Sequence, residues 1–484
     1  MTPGLIIGCV AAYSALLFFI TWLTSRKANN ESFFIGNKSS RWYVVAYGMI
    51  GASLSGVTFM SVPGSVGSMQ FSYMMVVLGY FVGYIIIATV LMPMYYRLNL
   101  TSIYSYLEQR FGFHSYKTGA FFFILSRTIG AAFRMFLVVN VLQDFVFAPM
   151  HVPFSITVGV FIILILLYTY EGGIKTIVWT DTLQTTFMLL SAVISVILIT
   201  KQLNISFTEV LQNVKASDYS KIIFSDWNDK RSSLKQFISG IFICVAMTGL
   251  DQEMMQKNLS CKNLKEAQKN MISFSVVLVF VNFLFLLLGA VLYFYSTAKG
   301  IVIPTKTDNL FPIIALNHLG QFAGIIFVIG LISAAYPSAD GALTSLTTSV
   351  CVDFLNFQKR TDEASKKKTR HAVHLSFAFL LLLVIVSFKS LNDSAIVEKL
   401  FKAAGYTYGP LLGLFMFGLF TKFSLKDKWS PYICILAPLI CYILNEHSKQ
   451  WFGGYEFGFL ILPLNGIITF LGLYLIRSPR LQNS

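Results

Sequence analysis

The feature that most constrains this chain is a repeated run of about 20 apolar residues, the length of helix that crosses a bilayer. Only 12% of the 484 residues are charged, against about 25% in soluble proteins. The sequence therefore predicts an all-α polytopic membrane protein with about 13 transmembrane helices. The predicted spans lie near 4–24, 42–62, 71–96, 118–147, 153–170, 175–200, 236–250, 271–296, 318–350, 371–388, 397–420, 430–446 and 457–476.

Lysine and arginine are unevenly divided between the two sets of loops that 13 spans create. The set that includes the C-terminal tail holds 23 of the 37, and the set that includes 201–235 and 297–317 holds 12. Because basic loops stay cytoplasmic, we predict an outside N-terminus and a cytoplasmic C-terminus in the cell inner (plasma) membrane. The net charge of +15 then reflects topology, and nucleic-acid binding is not expected.

No part of the sequence predicts a catalytic unit, so we expect one transmembrane transporter domain over 1–484 and no enzyme. The longest outer loops are too short for a catalytic domain, and no GxxxxGK[ST] loop provides for ATP. The six histidines share no metal-ligand spacing. An ion gradient is therefore the expected energy source. The expected partners are a small solute, the coupling ion and lipid, with no obligate protein partner.

The span at 48–64 is rich in residues that weaken a helix. Glycine and proline both disfavour regular helix, and unwound backbone inside a membrane lines a cavity or is buried in protein. Freed carbonyls there would suit a small cation, whereas close packing through small residues is the alternative. Its hydroxyl side chains and proline are Ser53, Ser55, Thr58, Ser61 and Pro63.

A second interruption is predicted at 333–349. Pro337 frees the carbonyl of Ser333, and Ser338 and Asp340 supply side-chain oxygens. An ionisable group at this depth costs at least about 2.5–3.5 kcal/mol, so Asp340 is a functional candidate; a polar contact between helices is the alternative. Paired broken helices favour an ion-coupled carrier over a channel.

Three further charged residues lie inside predicted spans. Asp181 and Asp340, with no lysine beside them, suggest a cation site, although Asp181 could also cap or pair locally. Arg127 and Arg134 are seven residues apart and share one helical face. Arg127 is nearer its helix end and could snorkel. Arg134 is the better candidate for binding an anion.

These residues also carry a resemblance to the sodium:solute symporter family over about 5–475. The matching segments follow one another in the family's order, and the resemblance implies a five-plus-five inverted repeat of leucine-transporter type. Its ten core helices would occupy 42–420, after one extra helix at 4–24 and before two at 430–476. The segments end or begin at Gly64, Gly173, Asp181, Gln184, Asp251, Gln256, Lys257, Lys265, Gln268, Ser338, Asp340, Asp353 and Gly405 to Pro410.

The resemblance implies that sodium is the coupling ion and joins the first core helix to the eighth. Its ligands would be the backbone carbonyls of Gly51, Leu54 and Ala334 and the hydroxyl of Ser338. Family members usually carry a second hydroxyl directly before Ser338, where this chain has Pro337. That departure removes one ligand.

Some members bind a further sodium through the residue matching Asp181 and two hydroxyls, at positions where this chain has Asp340 and Gly341. Asp181 and Asp340 are therefore a predicted second cation site, which could hold a metal ion or a proton.

The resemblance indicates the substrate less clearly than it indicates the coupling ion. Residues Val57 and Thr58 do not match the sugar-binding pattern, and no lysine lies in 271–294. Sialic acid transporters of the family hold a carboxylate with hydroxyls of the first core helix and an arginine of the third, which match Ser53, Ser55, Thr58 and Arg134. We therefore expect sodium-coupled uptake of an acidic sugar or other organic anion. A neutral sugar or amino acid, or a sensor that does not transport, is the alternative.

Overall fold

The computed structural model describes residues 3–25, 33–34, 36–170, 173–357, 362–389 and 396–479. Within them the chain is almost entirely helical, and two short strands, β1 (Ser424–Leu425) and β2 (Arg477–Ser478), pair antiparallel. The helices are α1 (Pro3–Ser25), α2 (Trp42–Ser53), α3 (Gly56–Met69), α4 (Tyr73–Ile86), α5 (Met92–Arg97), α6 (Ser105–Arg110), α7 (Phe113–Leu142), α8 (Phe154–Thr169), α9 (Gly173–Gln202), α10 (Phe207–Ala216), α11 (Ser233–Cys244), α12 (Gln252–Leu259), α13 (Leu264–Lys299), α14 (Leu310–Ile313), α15 (Gln321–Ser349), α16 (Glu363–Lys389), α17 (Ile396–Phe420), α18 (Ser430–Glu446), α19 (Ser448–Trp451) and α20 (Ile461–Leu475). Five π-helical turns extend α4, α7, α11, α14 and α15: Ile87–Leu91, Gln143–Phe147, Val245–Gly249, Ile314–His318 and Val350–Phe354.

The helices have the length and composition of membrane spans. Among the described residues, ten helical segments can cross a membrane, or up to eleven if the bent pair of α11 and α12 counts as one span. The apolar helix α8 is shorter, at 16 residues. A helix lies at each predicted span, so the all-α membrane architecture is confirmed. Length alone does not establish each crossing, and the number 13 stays a prediction.

The predicted interruption of the first core helix is confirmed. Leu54 (φ −90°, ψ 73°) and Ser55 (φ −67°, ψ −179°) separate α2 from α3. The last backbone hydrogen bond of α2 runs from the Leu54 amide to the Ile50 carbonyl, at 2.8 Å. Beyond it, the carbonyls of Gly51 and Leu54 accept no backbone hydrogen bond from the described chain. A cation can therefore use both.

The predicted interruption at Pro337 is wrong. Helix α15 runs without a break from end to end, with Pro337 inside it. Proline removes one hydrogen bond, and a helix packed on several sides can keep its course despite that loss. Residues 333–349 are almost all fully buried, which is the packing required. Sequence alone does not show how tightly a proline-containing turn is held.

The second broken helix lies elsewhere, between α11 and α12, which bend by 66° relative to each other. The break falls at Leu250 and Asp251, and the Asp251 carboxylate caps α12 by accepting from the amides of Glu253 (3.0 Å) and Met254 (3.3 Å). The broken pairs α2–α3 and α11–α12 begin the two halves of the predicted repeat. Broken helices in corresponding positions of two halves are typical of secondary transporters.

Helix α9 lies against both α2 and α15, and two glycines let α2 approach it closely. The Gly51 amide donates to Thr185 Oγ1 at 3.0 Å, and a Cβ at Gly51 would overlap that oxygen. A Cβ at Gly48 would lie 3.1 Å from the Cβ of Asp181. Glycine at these positions therefore brings the α2 break, Asp181 and α15 together.

We predict that Gly51→Ala lowers the free energy of unfolding by about 1–3 kcal/mol, the usual effect of overpacking. The melting temperature of the purified protein in detergent measures it. Gly51→Ala with Thr185→Ala should recover part of the loss, because the double variant removes the overlapping oxygen. A double variant no more stable than the sum of the two single effects would contradict this packing argument.

Candidate solute and cation sites

The four side chains predicted to bind solute line one cavity, which we call the central cavity. Ser53, Ser55 and Thr58 reach it from the break between α2 and α3, and Arg134 reaches it from α7. Ser55 and Thr58 are buried, with 3% and 7% of their surface exposed. The structure thus brings these four residues together, while their role in binding stays a prediction.

Arg134 is half-buried and differs from Arg127 and Lys257 in having no carboxylate partner among the described residues. It forms no ion pair with the described residues, and its Nε has no hydrogen-bond partner among them. A buried charge is normally paired. An unpaired guanidinium in a cavity is therefore suited to an anionic ligand, which it can bind through two parallel hydrogen bonds.

Other side chains of the central cavity were not predicted. Asn282 on α13 is 1% exposed, and its Oδ1 has no partner among the described residues. Tyr73, Tyr80 and Tyr84 form an aromatic wall on α4. An asparagine in an apolar span could have indicated Asn282. The tyrosines resemble any apolar helix face in the sequence and gave no such indication.

A second cavity, the vestibule, shares Tyr73 with the central cavity. It is lined by residues of α3 and by loops that the charge distribution assigns to the outside, among them Lys230, Asp308 and Glu456. On the opposite side, Gln252 at the start of α12 bonds the Ile103 amide and the Thr101 carbonyl, at 3.0 and 2.8 Å. Gln252 thus ties α12 to residues 101 and 103 on that side.

The residues predicted to bind sodium lie on helices that touch. Gly51 and Leu54 stand at the α2 break, Ala334 and Ser338 on α15, and α15 contacts both α2 and α3. Ser338 is fully buried, and its hydroxyl has no partner among the described residues. An unpaired buried hydroxyl on a helix that contacts the α2 break, with its two free carbonyls, suits an oxygen-coordinated cation.

Asp340 lies two residues after Ser338, about half a turn further along α15, and contacts α8. The Tyr168 hydroxyl donates to its Oδ2 at 2.8 Å, and its Oδ1 has no partner in the described chain. The aspartate is fully buried. One of its oxygens therefore remains able to bind a further group.

The expectation that no lysine lies beside the two aspartates is wrong. Lys257 Nζ is 2.7 Å from Asp181 Oδ2 and 3.1 Å from Glu253 Oε1, and all three side chains are at most 1% exposed. Lys257 comes from α12, far along the chain, and only the bend before α12 brings it to α9. The predicted second cation site at Asp181 and Asp340 therefore already contains an ammonium group.

The expectation that Arg127 snorkels is also wrong. Arg127 is 4% exposed and forms an ion pair with the Glu253 carboxylate, while its other nitrogen lies 3.9 Å from Asp251. The Tyr408 hydroxyl donates to Asp251 at 2.7 Å. The two carboxylates at the start of α12 supply the counter-charge that a buried guanidinium requires.

Glu253 and Lys257 gave one signal that could have been used. They are four residues apart on α12, so they share a helix face, and both are charged beside an apolar span. We name the series Asp181, Lys257, Glu253, Arg127 and Asp251 the ion chain. It links α9, α12 and α7.

We predict that Glu253→Gln lowers the free energy of unfolding by about 3–5 kcal/mol, because it leaves two buried cations short of a carboxylate. Thermal unfolding in detergent measures this. Glu446→Gln is the control: it breaks the half-exposed pair with Lys402 (3.0 Å) and should cost less than about 1 kcal/mol. Similar small effects from both substitutions would show that the ion chain contributes little to stability.

The chain is similar in sequence and structure to sodium-coupled transporters. The sodium/sialic acid symporter NanT of Aliivibrio fischeri is 24% identical and the alignment covers 92% of this chain and 88% of that protein. The sodium/sialic acid symporter SiaT of Proteus mirabilis is 22% identical, with 90% and 88% covered. A solved structure of a Na⁺-coupled sialic acid symporter, substrate-bound and outward-open, superposes with a TM-score of 0.83 at 18% identity over 97% of each chain.

That structural similarity shows the fold, and the predicted leucine-transporter-like core is confirmed. The model of the sodium:solute symporter family matches residues 33–424, which is most of the chain. The resemblance drawn from the ordered motifs is confirmed as well. This multi-pass membrane protein belongs to the sodium:solute symporter family.

Proposed function

We propose that this chain imports an organic anion together with sodium, and that the anion is an acidic sugar of the sialic acid class. The observation that carries the proposal is Arg134, an arginine with no ion-pair partner in the described chain that lines the central cavity. Transport, and not catalysis, is the activity proposed. The whole chain, 1–484, acts as one transmembrane transporter domain.

The chemistry of the central cavity supports a polar solute with a carboxylate. Arg134 supplies a charged fork for that group, and Ser53, Ser55 and Thr58 supply hydroxyls that both donate and accept hydrogen bonds. Asn282 offers an amide oxygen without a partner. The two curated relatives described above are named as sodium/sialic acid symporters, which agrees with this donor set.

Sodium is the coupling ion, as in the family to which the chain belongs. We assign its ligands to the carbonyls of Gly51, Leu54 and Ala334 and the hydroxyl of Ser338. An ion held there would bridge the α2–α3 break to α15. Because Ser53 and Ser55 belong to the same break, sodium would also fix part of the solute site. Whatever sodium adds to solute affinity, solute adds to sodium affinity.

The direction of transport follows from the proposed topology. The vestibule lies among loops assigned to the outside, and Gln252 ties the chain together on the other side. With an outside N-terminus and a cytoplasmic C-terminus in the plasma membrane, solute and sodium would enter through the vestibule. Rearrangement of the broken helices would release both to the cytoplasm, where sodium is dilute.

We predict that Arg134→Gln weakens the apparent affinity for sialic acid by about 10- to 100-fold, since hydrogen bonds to a charged group contribute about 1.5–3 kcal/mol. Sodium-driven uptake of labelled sialic acid into proteoliposomes measures it. Arg134→Lys keeps the charge but lacks the planar fork, so its apparent affinity for sialic acid should lie between those of the parent protein and Arg134→Gln.

The methyl ester of the same sugar, used as a competitor, separates carboxylate recognition from general damage. Its weak competition should be the same for the parent protein and Arg134→Gln. If Arg134→Gln weakened the apparent affinities for the acid and for the ester equally, the assignment of Arg134 to the carboxylate would be contradicted.

We predict that Ser338→Ala raises the sodium concentration for half-maximal uptake by about tenfold, about 1.4 kcal/mol, because one ligand is lost. Ser345→Ala is the matched control, since Ser345 lies on the same helix but donates to the Ala342 carbonyl at 3.1 Å. It should leave sodium activation unchanged. Uptake by the parent protein that is the same in sodium and in potassium would contradict the proposed function itself.

A further inference from the structure

The ammonium group of Lys257 lies where a cation bound by Asp181 would lie. Its 2.7 Å distance to Asp181 Oδ2 and 3.1 Å distance to Glu253 Oε1 are those of close ion pairs. The Lys257 side chain is 1% exposed, so water does not compete for these contacts. The position therefore holds an ammonium group that is attached to α12 by a covalent side chain.

Gly341 contributes to the same arrangement by leaving space. A Cβ at this position would overlap the Glu253 carboxylate, so any larger residue would displace it. Position 341 thus offers no side-chain ligand to an ion, and the volume beside it contains a carboxylate already paired with Lys257 and Arg127. The cation that contacts Asp181 is thus Lys257, which also contacts Glu253.

A sodium ion on the Asp181 carboxylate would lie near the Lys257 ammonium. Two unit charges about 4 Å apart repel strongly enough to weaken sodium binding by roughly a thousandfold at the effective dielectric of a protein. The side-chain oxygens without a partner among the described residues include Asp181 Oδ1, Asp340 Oδ1 and, three residues further along α9, Gln184 Oε1. Hard cations such as Ca²⁺ take about six or more oxygens, and an ion here must also overcome the repulsion of Lys257.

We propose that Lys257 takes the place of a second coupling ion, so that one sodium ion accompanies each solute. The inference rests on the proposed function, because it concerns the stoichiometry of the same transport cycle. The lysine joins α12 to α9 as a metal ion would, and it gives Asp181 its counter-charge. It cannot leave to either side of the membrane and so draws no energy from the sodium gradient.

The deciding measurement is the coupling stoichiometry of the unmodified protein. In proteoliposomes loaded with labelled sialic acid, the sodium and solute gradients at which net flux is zero give the number of sodium ions per solute, at a clamped membrane potential. We expect one. A value of two would overturn the inference while leaving sodium symport intact, and sodium-independent flux would instead contradict the proposed function.

A substitution tests the role of Lys257 directly. Lys257→Met keeps the length of the side chain and removes its charge, so Asp181 should become free to bind sodium. We expect the Hill coefficient of sodium activation to rise from about 1 toward 2, and equilibrium binding of labelled sodium to rise from one to two ions per protein. Lys257→Met with Asp181→Asn should return both to one.

These variants also allow for a loss of folding. The double variant leaves no uncompensated charge at Asp181 and should insert and bind one sodium even where Lys257→Met alone is unstable. A folded Lys257→Met that still binds a single sodium would overturn the inference, because Asp181 would then not be a site from which the lysine excludes the ion.

Discussion

Hydrocarbon offers no water to a backbone carbonyl, and this constraint governs the centre of the molecule. The break at Leu54 and Ser55 leaves the carbonyls of Gly51 and Leu54 without backbone donors. Such a break is tolerated only because α9 and α15 surround it and Thr185 accepts from the Gly51 amide. The unsatisfied oxygens that remain are a cost to the fold, and an ion that binds them offsets it.

The same constraint explains how charges are distributed inside the protein. Every cation of the ion chain lies against a carboxylate, and the Asp251 side chain both caps α12 and faces Arg127. Arg134 stands apart because none of the described carboxylates pairs with it. Arg127 and Arg134 both line the central cavity, but only Arg127 has a carboxylate partner among the described residues. The guanidinium of Arg134 is therefore best explained by a ligand that brings the missing negative charge.

The sequence predicted those parts of the site whose signal is local. Ser53, Ser55 and Thr58 lie together in the chain, and their crowding among glycines indicated the α2–α3 break. Lys257 and Asp181 lie on different helices, and their pairing depends on the bend at Asp251. No local sequence pattern predicted that bend. The interruption predicted at Pro337 was wrong because the effect of a proline in a helix depends on packing, which its neighbours in sequence do not reveal.

A bound ion and a buried lysine can provide the same charge to a structure, but only the ion can couple transport to a gradient. In the proposed cycle, sodium at the α2–α3 break binds in one conformation and leaves in another. Lys257 stays attached to α12 throughout. A carrier with one exchangeable sodium concentrates a singly charged anion no more steeply than the sodium gradient itself, without moving net charge. The geometry around Asp181 therefore bears on how far uptake can proceed, as well as on how the helices are held.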